Sequence, residues 1–417
     1  MPMKHIFLRI GQNTLTLLAV NVSGAIFGFA LAAVLGRGLG DAGFGRYTFV
    51  MSWLLTLLVF SEFGLSTVLT RDLAMNPAGT PDYLINSIIA KFLLALPAIG
   101  LLLFFAPQLA PQQNPEIIAA LRWGVIYLVA GLATSSFTAV FKARQTMTPI
   151  LWMTLAGQAI LLAGTLALVW QRASLAALIG WAGLSQIVQL GLAHFIFTRR
   201  YSFSLPVQHI SNSFIKLLLK IAWPFAVAGI LAALQMRANM LLLAYLQGEQ
   251  ALGWYAAANR FAEAGRQLPG AFFMAVLPAM AALNAARHTA PALERTLHRA
   301  QWGLLAFGAA AVVGSLVLGG PLIRLTYGTG YQPAVPVLQL LAAALVPALQ
   351  NSLFIIYLYA RGDEKFVNGL LATGIAINLG LCVWFIPAWG AAGAALALLV
   401  AESVLYGLYR LRIVGLQ

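Results

Sequence analysis

Long stretches of this chain contain no Asp, Glu, Lys or Arg. They run from Ile10 to Gly36, Phe92 to Pro115, Gln145 to Gln171, Ala173 to Thr198, Ala300 to Ile323, Leu325 to Ala360 and Phe366 to Ala401. A helix needs about 20 apolar residues to cross a hydrocarbon core, whereas barrel strands are about 10 residues long and alternate in polarity. The runs therefore predict membrane helices. Turn signals divide the two longest: Pro333 to Pro336 opens one helix, and Pro387-Ala-Trp-Gly390 splits the other. Twelve spans result, at roughly 13–35, 47–70, 84–106, 117–139, 150–169, 175–197, 217–246, 254–283, 301–319, 334–359, 366–386 and 390–409. The apolar run after Arg9 is too long for a signal-peptide core, so it is read as the first span.

An internal repeat organises these spans. Gly40-Asp-Ala-Gly-Phe-Gly-Arg-Tyr47 reappears as Gly248-Glu-Gln-Ala-Leu-Gly-Trp-Tyr255, with both glycines, the acid and the tyrosine kept. Each copy lies in the loop after the first helix of a six-helix half. An even number of helices inserts both halves in one orientation, a parallel repeat of the kind found in transporters. The expected architecture is thus all-α, with six-helix bundles over 1–205 and 206–417. The connection from Thr198 to Lys220, with its Tyr201-Ser-Phe-Ser-Leu-Pro206 stretch, is expected to lie along the membrane surface.

Composition agrees with this reading. The chain is 61% hydrophobic and 9% charged, against roughly 25% charged for a soluble domain. The net charge of +14 would suggest nucleic acid if the basic residues clustered. Instead they are scattered through alternate loops. Sixteen Lys and Arg fall on the N-terminal side of the membrane and four on the other, which predicts cytoplasmic termini and no nucleic-acid role. Cys382 is alone in an apolar segment and reads as packing.

Eight ionisable residues fall inside the spans: Glu62, Lys91, Arg122, Arg237, Arg260, Glu263, Arg266 and Glu402. Each costs about 2.5–3.5 kcal/mol near a helix centre on insertion scales. Snorkelling to an interface accounts for Arg122 and Glu402 and leaves Lys91 undecided. Arg237 is deep, between Gln235 and Asn239. In the next span Asn259, Arg260, Glu263, Arg266 and Gln267 share one helix face. Local pairing of Glu263 with Arg260 or Arg266 is the structural reading, and a polar cavity wall is the functional one. Glu62, within Phe60-Ser-Glu-Phe-Gly64, is a candidate proton or cation site beside a plainer hydrogen-bonded role. Pro224, Pro269, Pro278 and Pro347 each remove a helix hydrogen bond and permit a bend, and Pro269-Gly270 follows the charged face directly.

Enzyme chemistry finds little support. The histidines form no metal-ligand spacing, no phosphate loop appears, and the paired carboxylates Asp363-Glu364 fall in a turn. No catalytic residue, metal or cofactor is expected.

The segments Leu35-Gly-Arg-Gly-Leu-Gly-Asp-Ala-Gly-Phe-Gly45 and Phe63-Gly-Leu-Ser-Thr-Val-Leu-Thr-Arg71 resemble the opening of the bacterial polysaccharide-transporter family. Tyr327-Gly-Thr-Gly-Tyr331, Val335-Pro-Val-Leu-Gln339 and Ile386-Pro-Ala-Trp-Gly-Ala-Ala-Gly-Ala-Ala-Leu396 are similar to its late motifs. These are O-antigen and exopolysaccharide flippases of the multidrug/oligosaccharidyl-lipid/polysaccharide (MOP) exporter superfamily, with a MATE-like fold of two six-helix bundles around a cavity. The resemblance implies an undecaprenyl-pyrophosphate-linked oligosaccharide as substrate, moved from the cytoplasmic to the periplasmic leaflet of the bacterial inner membrane. It also implies membrane lipid and polysaccharide polymerase machinery as partners, and a functional monomer. Arg237, Arg260, Arg266 and Lys91 would bind substrate, since Arg presents bidentate donors to phosphate. Glu263 and Glu62 are the candidates for coupling to protons or sodium. Asn239 stands where relatives carry an acid, which removes any coupling role for that acid. A cation-coupled multidrug exporter is the alternative. A lipid II flippase has 14 spans, and a membrane glycosyltransferase would need clustered carboxylates or a long outer loop.

Overall fold

The computed structural model describes residues 2–201, 210–267 and 290–415, and nearly all of them are helical. The helices are α1 Pro2–Glu62, α2 Leu65–Met75, α3 Thr80–Phe104, the short α4 Ala106–Leu109, α5 Pro115–Ala143, α6 Thr148–Trp170 and α7 Leu175–Arg200. They continue with α8 Asn212–Gln267, α9 Ala290–Tyr327, α10 Ala334–Ala360 and α11 Glu364–Val414. Among the described residues, nine helices are long and apolar enough to cross a membrane. Three of these, α1, α8 and α11, are double-length, so the nine accommodate about twelve spans.

The double-length helices break where the sequence repeats or turns. Gly40 in α1 (φ 68°, ψ −178°) and Gly248 in α8 (φ 83°, ψ −175°) adopt the same left-handed, extended conformation, and Gly390 in α11 breaks similarly. Only glycine takes such φ values without strain. Pro224 and Pro347 sit within otherwise regular helices, so the interruptions fall at glycines and not at these prolines. Pro269, Gly270, Pro278 and most of the 201–206 strip lie outside the described residues.

One further break was not expected. The span predicted at 47–70 is interrupted by Phe63 (φ 53°) and Gly64 (φ 71°), where α1 ends and α2 begins. Gly64 is required twice over there. Its φ is positive, and a Cβ would strike the backbone of Phe225 and Ala226 in α8.

By compactness the chain divides into two units, one of residues 1–38 and 49–237, the other of residues 39–48 and 238–417. Counting spans instead divides it at 205/206. In the first unit α5 is the hub, flanked by α7, α3 and α2. Phe137, Val140 and Phe141 of α5 meet Leu69, Leu73 and Phe197 in a buried core, and Leu65, Val68 and Ala90 pack on Ile215, Leu218 and Ala222 of α8. In the second unit α10 lies between α9 and α11. Leu345, Leu349, Leu353 and Tyr357 bury against Leu304, Leu405 and Tyr409.

Outside these cores the surface is apolar. Trp170 is 88% exposed and Trp384 81%, and no water-soluble surface tolerates such residues in quantity. The chain is a multi-pass membrane protein.

In the second unit the two repeat copies face each other. Gly45 packs on the Glu249 carbonyl, and Gly253 packs on that of Asp41, so closely that neither has room for a Cβ. The Asp41 carboxylate accepts from Gln250 Nε2 (2.9 Å) and Trp254 Nε1 (3.0 Å), while Arg46 Nε pairs with Glu249 Oε2 at 3.5 Å. Arg46 and Trp254 occupy equivalent repeat positions. The acid of each copy therefore takes its donor from the same place in the other.

Candidate functional site

Two polar clusters, one in each unit, hold five of the eight charges inside the predicted spans: Glu62 and Lys91 in the first, Arg260, Glu263 and Arg266 in the second. The first forms where the second span breaks. Leaving α1, the Glu62 carboxylate turns back over the start of α2 and accepts from Gly64 N (3.0 Å) and Ser66 N (2.6 Å). It thereby satisfies donors that every helix start leaves open, and its charge complements the helix dipole. Lys91 of α3 is fully buried. Its Nζ donates to Ser66 Oγ (2.9 Å) and Ser135 Oγ (2.8 Å) and stands 3.6 Å from Glu62 Oε1. A buried ammonium needs such a carboxylate and hydroxyl shell. Lys91 is thus placed behind the wall of the site, reaching it only through Ser66, Ser135 and Glu62.

A cavity of about 680 Å³ opens in front of this pair, lined by Glu62 and by residues of α2, α5, α6 and α7. Sequence reasoning passed over its hydroxyls. Ser66-Thr67 with Thr70, and Thr134-Ser135 with Thr138, repeat one spacing on two helices, and that spacing is the signal that marks them. At one side stand Lys142 and Arg71. Arg71 Nε donates to Asp72 Oδ1 at 2.6 Å. That hydrogen bond, followed by the charge of Asp72, raises the guanidinium pKa further above its ordinary value.

The second cluster lies on the last turns of α8. Arg260 Nη1 donates to Glu263 Oε2 (3.0 Å), Asn259 Nδ2 to Glu263 Oε1 (2.8 Å), and Arg266 Nη2 to Asn259 Oδ1 (3.2 Å). One acid is thus shared by an arginine and an amide, and the amide passes the polarisation to a second arginine. Asn259 is buried, Arg260 is 39% exposed at its side chain, and Arg266 is exposed. The cluster carries one net positive charge and presents guanidinium donors outward. Arg237 belongs to the other unit, half-buried, with its charge acting on Tyr127 of α5.

Four other residues refine the sequence reading. Asn239 and Asn378 exchange two hydrogen bonds, at 3.4 and 2.6 Å, and are both buried. Glu402 is bonded sideways by Asn351 Nδ2 (2.8 Å), which corrects the expectation that it snorkels. Arg122, exposed, donates to the Leu103 carbonyl at 3.2 Å. No group of His, Cys, Asp and Glu able to hold a metal occurs among the described residues.

Residues 10–284 match the family described as polysaccharide biosynthesis protein. No curated protein matches the sequence. Solved structures resemble it in fold. An inward-facing MATE multidrug-resistance transporter of the MOP superfamily aligns with a TM-score of 0.75 at 15% identity, covering 94% of each chain. The lipid II flippase MurJ, in an inward closed conformation, aligns with a TM-score of 0.77 at 16% identity over 96% of this chain and 87% of its own. A MATE transporter from Vibrio cholerae gives 0.64 at 18% identity, over 97% and 95%. The chain belongs to the polysaccharide biosynthesis protein family and carries the fold of the MOP-superfamily transporters.

Proposed function

We propose that this protein is a flippase for an undecaprenyl-pyrophosphate-linked oligosaccharide, carrying it from the cytoplasmic to the periplasmic leaflet by alternating access. The observation that carries the reading is the arginine-rich face of α8 in a chain of the polysaccharide biosynthesis family. A pyrophosphate is a multidentate anion, and Arg260 and Arg266 offer it charge-assisted donors at little ordering cost, because Glu263 and Asn259 already hold them. Arg237, in the first unit, is likewise assigned to substrate. The distribution of Lys and Arg among the loops supports cytoplasmic termini in a bacterial inner membrane.

Coupling to a proton or sodium gradient is assigned to Glu62 and Glu263, each of which meets a basic partner in its own cluster. Export of cationic drugs is the second reading, favoured by the fold shared with multidrug transporters. It would need an acidic site, and the α8 face is basic. In a strain that depends on this protein for its surface glycan, Arg237→Ala with Arg266→Ala is expected to abolish the glycan at normal protein levels. Unchanged surface glycan would remove these arginines from the mechanism.

A further inference from the structure

Four of the hydroxyls that line the cavity in the first unit donate their protons back into their own helices. Thr70 donates to the Ser66 carbonyl (2.8 Å), Thr134 to Ala130 (2.8 Å), Ser135 to Leu132 (2.7 Å) and Thr138 to Thr134 (3.0 Å). A serine or threonine has one donor and two acceptor lone pairs, so each of these oxygens turns acceptor capacity toward the cavity. Glu62 is acceptor-only as a carboxylate. Apart from Arg71, Lys142 and Gln189, the polar lining thus offers mainly acceptors to a ligand rich in hydrogen-bond donors. Beside the oxygens, Ile150 and Met153 supply an apolar patch.

Two ligand chemistries offer many donors or seek many oxygens, a polyhydroxyl and a metal cation. A metal cation is disfavoured by Lys91, whose ammonium already occupies Ser66, Ser135 and Glu62, so any coupling at Glu62 would use a proton and not sodium. The volume of about 680 Å³ also exceeds what one ion needs and falls in the range of small-molecule sites, about 300–1,000 Å³. We propose that this cleft is a sugar subsite, where the hydroxyls of the glycan headgroup bind the acceptor-lined faces of α2 and α5. The C–H faces of the rings would lie on Ile150 and Met153. Lys91 is a positioning residue there, fixing the orientation of Ser66 and Ser135. The assignment rests on the flippase reading and adds to it a glycan contact separate from the arginines.

The test uses the full chain in nanodiscs and, as probe, the free oligosaccharide released by mild acid from the strain's lipid-linked precursor. That probe has neither pyrophosphate nor lipid. Tryptophan fluorescence should report saturable binding. Thr134→Val with Thr138→Val should weaken it about tenfold, the loss of one or two hydrogen bonds, and Thr154→Trp, which fills the cleft from α6, should abolish it. Arg260→Ala with Arg266→Ala should leave free-oligosaccharide binding unchanged while stopping transport of the intact lipid-linked form in liposomes. Absence of oligosaccharide binding to the wild type would overturn the subsite, as would equal binding by wild type and the cleft variants, or competition by sodium ions alone. If the wild type moves the intact lipid-linked form in any of those cases, the flippase reading survives. If it does not, that reading fails as well.

Discussion

Gly45 and Gly253 occupy equivalent positions in the two repeat copies, and each packs on a carbonyl contributed by the other copy. The obstructing atoms are backbone, which cannot rotate away as a side chain would. Gly45→Ala or Gly253→Ala should therefore cost about 1–3 kcal/mol each through overpacking. Gly248 has open space around it but holds φ 83° and ψ −175°, a region essentially restricted to glycine, so Gly248→Ala should cost about 1–3 kcal/mol through backbone strain alone. Thermal unfolding in detergent would rank the three, and a tolerated Gly253→Ala would show that the two helical segments after the kinks separate readily.

Glu62 and Lys91 make a second reciprocal case. Glu62→Gln keeps one acceptor for the start of α2 but leaves the buried ammonium without its counter-charge. The expected loss is on the order of 3 kcal/mol, the scale for breaking a buried pair from one side. Removing both charges, as Glu62→Gln with Lys91→Met, should recover much of it. The double-mutant cycle read by melting temperature checks this. Simple additivity would mean that the two side chains act independently.

Asn239 and Asn378 each donate to the other's amide oxygen. Asn378→Leu alone strands a buried amide and should destabilise the protein by about 1–3 kcal/mol. Replacing both with Leu should be nearly neutral for stability. If the double variant folds normally and still supports surface glycan, the pair is structural. A loss of glycan at wild-type stability would instead assign it a part in transport.

Hydropathy and punctuation made most of the architecture legible. Gly40 and Gly248 stood out because they repeat, and Gly390 because Pro387 precedes it. The Arg260–Glu263 contact could be anticipated too, since residues three apart share a helix face. The pairing of Lys91 with Glu62 could not, because it joins two helices and no local spacing encodes it. The break at Phe63–Gly64 was hidden by an unbroken apolar pattern, which reports where a segment sits and not whether its helix is continuous. The cleft was hidden in the same way. Serine and threonine are nearly neutral in a hydropathy average, yet their oxygens supply most of the cleft's polar lining.

The repeat contact also explains why the duplication can still be read. Its close approach is carried by main chain: α-carbons without Cβ atoms against carbonyl oxygens. Among the side chains the acid and the tyrosine are kept, whereas Arg46 has a tryptophan at its place in the other copy, which shares with it only an N–H to donate. What survives divergence is the part that cannot be substituted. The ancestral sequence is preserved at these kinked helical segments as a cast of the backbone geometry, and elsewhere along the two halves drift has had room to erase it.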